Sequence, residues 1–136
     1  MSDAKLELAR ASVEAWGQRD AEWFIANSTP DFEFFPAIVT GVEGQGGSVR
    51  AEGIQQFFAQ LDEPWETFHI DVDEYREIGE QVVCVTRLRA KGRGSGIEFD
   101  QLVAMALWFR DGKLARAQSF LDLESAVEAV GREGTA

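Results

Sequence analysis

The chain has 136 residues, 45% of them hydrophobic and 27% charged, with 24 acidic against 13 basic side chains and a formal net charge of -11. That length suits one domain, and an apolar content that includes 4 Trp and 10 Phe excludes a disordered chain. The acidic balance repels nucleic-acid phosphates and anionic lipid surfaces, and no apolar run approaches the ~18 residues of a membrane span.

From Asp3 to Trp16, Leu6, Ala9, Val13 and Trp16 recur every three or four positions, which predicts a first helix with one apolar face. Its acidic start does not fit a secretion signal, so a cytoplasmic location is expected. A short second helix, "AEWFIANS", takes Asp20 as its cap and offers Trp23, Phe24 and Ile25 for burial, until Pro30 blocks continuation. "DFEFF" then reads as a short strand. The glycine-rich "PAIVTGVEGQGGSVR" reads as a surface loop, loose hairpin or lid; it lacks both the spacing and the lysine of a phosphate-binding loop. Ser48 is a candidate cap for a third helix, "RAEGIQQFFAQL", with Ile54, Phe57, Phe58 and Leu61 as its apolar stripe.

Beyond Pro64 the period changes to two. Phe68, Ile70 and Val72 alternate with His69, Asp71 and Asp73, as in a strand covered on one face. "EQVVCVTRLRAK", "IEFDQLVAMALWFR" and "KLARAQSFL" continue as strands, joined at "GRGSG" and at "RDGK", where Asp-Gly signals a hairpin. A last helix, "LESAVEAV", is expected to stop at Gly131 and leave 131–136 as a flexible tail. The whole is a single α+β domain over 1–136: helices and one short strand, then a four-stranded antiparallel meander.

The strand "LVAMALWF" is apolar on both faces: Leu102, Ala104, Ala106 and Trp108 on one, Val103, Met105, Leu107 and Phe109 on the other. Helices can cover one face. A second copy of the chain is the economical cover for the other, so a homodimer packed through the sheet is expected. The basic run "RLRAKGRGSG" reads as a hairpin tip whose long side chains reach water, with no interleaved aromatic residues to stack nucleobases. Arg87 sits deeper, on the face of Val83 and Val85 and opposite the neighbourhood of Asp100; an Arg in an apolar strand calls for a partner. Cys84, the only cysteine, lies among β-branched neighbours and reads as a buried thiol. His69, with Asp71 and Asp73, lacks a clear third ligand, so no metal site is expected and no cofactor motif is present.

The segments "ARASVEAWGQRDAEWF", "PDFEFFP", "GGSVRAEGIQQFF", "RLRAKGRGSGIEFDQ" and "LWFRDGKLARAQSFLDLESAVEAVG", in this order and spacing, resemble the nuclear transport factor 2-like superfamily, and most closely its SnoaL-like branch. The resemblance implies a cone: a curved, mainly antiparallel sheet wrapped around the N-terminal helices, with an internal pocket and frequent dimers. It covers isomerases, polyketide cyclases, epoxide hydrolases and non-enzymes. The positions that match the carboxylate, tyrosine and protonated aspartate of ketosteroid isomerases hold Phe35, Ser12 and Ala106. Those that match the Arg and Asp two apart on one strand and the last-strand Asp of limonene-type epoxide hydrolases hold Val85, Arg87 and Ser119, so neither catalytic set is present.

Two readings of function follow. In one, a small hydrophobic molecule binds a pocket lined by Trp16, Phe24, Phe57, Phe68, Val85, Ala106 and Trp108, where Asp100 moves a proton and Arg87 or Ser119 holds an oxyanion, in isomerase, cyclase or hydrolase chemistry. In the other, the protein is a non-catalytic dimeric binder of a ligand or partner protein, and Asp100 and Arg87 are an ion pair that steadies the hairpin.

Overall fold

A computed structural model describes residues 3–37 and 47–135. In chain order the elements are α1 (Asp3–Gln18), α2 (Ala21–Asn27), β1 (Ser28–Phe35), β2 (Val49–Arg50), a 3-10 turn (Ala51–Gly53), α3 (Ile54–Asp62), β3 (Trp65–Ile78), β4 (Gln81–Gly92), β5 (Glu98–Arg110), β6 (Lys113–Phe120) and α4 (Leu123–Thr135). The six strands form one sheet in the order β2-β1-β6-β5-β4-β3. All neighbours are antiparallel except β1 and β6, which run parallel. The meander expected from the alternation of residues 68 to 120 is β3 to β6. The parallel β1 closes onto its last strand, and the result is the α+β cone: a sheet that wraps α1, α2 and α3.

Local signals explain most boundaries. The Asp20 carboxylate accepts a hydrogen bond from the Trp23 amide at 3.1 Å and caps α2. Asp111 and Gly112 turn the last hairpin with φ of 54° and 76°, the left-handed pair that an Asp-Gly turn supplies. Pro30 does end helical structure, yet it lies inside β1. It falls where pairing with β6 is interrupted between Ser28 and Glu33, so its missing N–H costs no ladder bond.

Three details differ from the sequence reading, and a fourth falls outside the described residues. Ser48 does not cap α3: its hydroxyl donates to Glu33 at 2.7 Å, and α3 begins only at Ile54, after the 3-10 turn. Ile25 is 54% exposed, because the seven residues of α2 turn only Ala21 and Phe24 fully inward. The last helix does not stop at Gly131. It continues to Thr135, since Gly131 lacks the positive φ of a helix-ending glycine. The possible lid lies mostly at residues 38–46, outside the described residues.

Two apolar layers enclose the sheet. On the inner face, Phe32, Phe34, Val82, Cys84, Leu107 and Ala117 pack with Ala9, Ala15, Phe24, Ile54, Phe57, Phe58 and Leu61 of the helices. On the outer face, Val83, Val85, Ala104, Ala106 and Trp108 are covered by Ala126 and Val130 of α4. The alanines let the α4 backbone approach closely. Over these residues the second cover, assigned from the sequence to another copy of the chain, is therefore the chain's own last helix.

Candidate functional site

The inner face and α1 to α3 enclose a chamber of about 50 Å³. Its walls include Trp16, Phe24, Phe32, Phe34, Phe57 and Phe68, and its floor is formed by strand residues such as Leu88, Val103, Met105, Leu107 and Ala117. Trp16 organises the aromatic wall. Its ring meets Phe34 and Phe57 edge-on, both at 5.9 Å, and stacks on Phe68 at 6.4 Å with planes 16° apart. Such pairing fixes ring orientations and hence the shape of the space they leave.

Three hydroxyls reach the lining, one each from α1, β4 and β6: Ser12, Thr86 and Ser119. Ser12 donates to the Ala9 carbonyl at 2.7 Å, and Thr86 donates to the Val103 carbonyl at 2.7 Å, so both protons are committed to backbone. Ser119 is the reverse case. Its oxygen accepts the Ala37 N–H at 2.6 Å, which leaves its own proton to donate. The described lining contains no ionisable side chain.

The expected site residues divide between the two sheet faces. Trp16, Phe24, Phe57, Phe68 and Ser119 lie on the chamber. Val85, Ala106 and Trp108 do not: strand alternation places them outward under α4, and this corrects their assignment to the pocket. Asp100 and Arg87 are outward too. Arg87 pairs in register with Leu102, and Asp100 with Arg89; the Arg87 guanidinium reaches diagonally to Asp100 at 2.6 Å. Their side chains are 37% and 61% exposed, and neither lines the chamber, so they do not form a catalytic pair there. The hydrogen bond from Arg87 holds the Asp100 carboxyl below its usual range, the wrong direction for a base kept ready by a dry cavity.

The basic run of the β4–β5 hairpin is an internal clamp. Lys91 pairs with Glu66 at 3.7 Å, Arg89 with Asp71 at 3.6 Å, and Arg93 donates to the carbonyls of Glu63 and Trp65 at 3.2 and 2.8 Å. His69 is exposed and opposite Arg89. Among the described residues, no three His, Cys, Asp or Glu side chains come together as a metal site. Cys84 is fully buried, and desolvation pushes its thiol up to about 12, so it is protonated at neutral pH and packs as an apolar group. No described helix is long and apolar enough to cross a membrane.

Sequence reasoning named Ser12 only as the residue at a ketosteroid isomerase position, and missed Thr86 together with the β5 floor. Thr86 carried a usable signal, since it shares strand parity with Leu88 and opposite parity to Arg87. Only the assignment of one parity to the helices was lacking.

Comparison with known proteins agrees with this architecture. A family model described as the SnoaL-like domain matches residues 9–117. Among solved structures, TerC co-crystallised with polyporic acid is similar at a TM-score of 0.72 and 23% identity, over 96% of this chain and 99% of that one. A nuclear transport factor 2-like protein of unknown function from Burkholderia pseudomallei gives a TM-score of 0.74 at 22% identity, over 100% of both chains. A protein of ketosteroid isomerase-like fold from Catenulispora acidiphila, in complex with trimethylamine, gives 0.71 at 18% identity, over 90% of each chain. No curated protein matches the sequence. With a family model spanning most of its length and neighbours that share its whole topology, the chain belongs to the SnoaL-like domain family.

Proposed function

We propose that this protein is a non-catalytic receptor for a small, neutral, apolar molecule that carries an oxygen acceptor. One observation carries the proposal: an aromatic and aliphatic chamber in which Ser119 alone of the three hydroxyls has a proton not committed to any described residue. A carbonyl or ether oxygen is the group that such a donor recognises, and the remaining surface rewards contact without charge. Isomerase, cyclase or hydrolase chemistry needs an ionisable group within hydrogen-bond reach of the ligand, whereas the described lining supplies hydroxyls. Two proteins of the same fold, TerC and the Catenulispora protein, were crystallised with small organic molecules, which supports the reading by analogy of fold alone.

A dimer through the outer face belongs to the same proposal on altered grounds. The part of that face toward the β4–β5 hairpin carries Arg87 with Asp100 and Arg89 with Asp71, a pattern of alternating charge that a second copy can complement.

The test is an NMR titration of the methyl groups of Val103, Leu107 and Ala117 with cyclopentanone and with cyclopentane. Saturable shifts at these methyls are expected, and Ser119→Ala should weaken the ketone about tenfold, the value of one hydrogen bond at about 1.4 kcal/mol, while leaving the hydrocarbon unchanged. Shifts confined to the surface, or equal losses for both guests, would refute the proposal.

A further inference from the structure

We infer that the ligand site has a second, polar compartment outside the chamber, parted from it by the ring of Phe68, and that the occupant is an amphiphile with an apolar body and a neutral hydrogen-bonding head. The inference rests on the reading of the chamber as a ligand site. A cleft of about 280 Å³ opens at the end of α1, between Gly17, Arg19 and Asp62 on one side and Glu66, Thr67 and Arg93 on the other. Phe68 lines both the cleft and the chamber. The chamber alone is far below the ~300–1,000 Å³ of sites that enclose a drug-sized ligand, whereas the two spaces joined reach the lower end of that range.

The partition stands at an irregularity of the strand. Phe68 is half-buried on β3, an edge strand, directly after an irregular register between Trp65 and Thr67; such bulges re-aim side chains beside binding sites. What holds the ring is a clamp on the cleft side. The Arg19 guanidinium lies 4.6 Å from the centre of the Phe68 ring and is itself gripped by Asp62, through Nε at 2.9 Å and Nη2 at 2.7 Å. Arg19 adopts a left-handed backbone, φ 57°, a conformation that non-glycine residues keep only where surroundings enforce it.

The charges of the cleft select the head. Arg19 is matched by Asp62, Glu66 by Lys91, and Arg93 by two backbone carbonyls. A charged head would have to displace a partner that each of these groups already holds. A neutral head with both donors and acceptors can use the Thr67 hydroxyl and the outer lone pairs of Asp62, and a primary amide has that complement.

The test uses the full chain and three probes with one body, octanamide, octanoate and octylammonium, with cyclopentanone as the chamber-only guest. Octanamide is expected to bind at least about tenfold tighter than either charged probe. Gly17→Trp fills the cleft from a helical position where an added Cβ meets nothing within 4 Å. It should weaken octanamide at least about tenfold and leave cyclopentanone unchanged. Thr67→Val, isosteric at an exposed position, should also weaken octanamide. Equal affinity for the three heads, or octanamide indifferent to both substitutions while cyclopentanone binds, overturns the second compartment alone. Failure of cyclopentanone and octanamide alike overturns the chamber reading with it.

Discussion

Asp31 and Asp100 show how little a carboxylate's type says about its task. Arg110 donates to Asp31, and the Thr29 hydroxyl adds a bond at 2.8 Å, so the Asp31 carboxyl is lowered from 3.8 to about 2. A folded pKa below the unfolded one contributes stability that is fully present above 3.8 and is lost as pH falls through about 2. A carbon-detected NMR titration should place the Asp31 midpoint near 2 and move it back toward 3.8 in Arg110→Ala; a native midpoint of 3.8 would contradict the pair. Asp100, also lowered by its arginine, lies outside the chamber. Asp100→Asn should therefore leave cyclopentanone affinity unchanged, and a large loss on calorimetry would return this residue to the site. That Arg87 needs a partner, and that Asp100 is near enough to be one, was legible in the sequence. Their distance from the chamber was not, because one residue of register separates the two faces.

The elements follow their local signals except where packing overrides them. Gly131 looked like a stop, but α4 continues because its inner stripe, Ala126 and Val130, is anchored on the outer sheet face. A helical Gly131 with open space around its missing Cβ makes Gly131→Ala stabilising by about 0.5–1 kcal/mol. A glycine in the left-handed conformation would instead be destabilised by alanine, so a denaturant midpoint reads the sign directly. Val130 is 0% exposed, and Val130→Ala should cost about 2 kcal/mol, measurable in the same urea titration. The irregular register at Asp73 has a similar origin. The inward set Phe68, Ile70 and Val72 would continue at Glu74; one extra residue instead brings Tyr75 inward opposite Cys84 and leaves Glu74 and Arg76 outward, paired at 3.1 Å.

At the scale of the molecule, the sheet is a wall between two apolar layers, and the chamber belongs to the layer with three helices. Its described lining holds nothing that titrates near neutrality, so the cyclopentanone dissociation constant should be flat between about pH 5 and about pH 9. A sigmoidal change across that range would reveal an ionisable group at the guest. The hydrophobic period, the Asp20 cap and the Asp-Gly turn established by themselves the α+β class, the order of elements and the antiparallel meander, because each is a short-range consequence of neighbouring side chains. Which face of the sheet became the chamber was decided by tertiary structure alone. "VVCV" and "LVAMALWF" are apolar at both parities, so alternation sorts their residues into two sets without saying which set meets which layer. The docking of α4 across the outer set resolves that ambiguity. It removes Val85, Ala106 and Trp108 from the site and leaves Thr86, Val103 and Leu107 in their place.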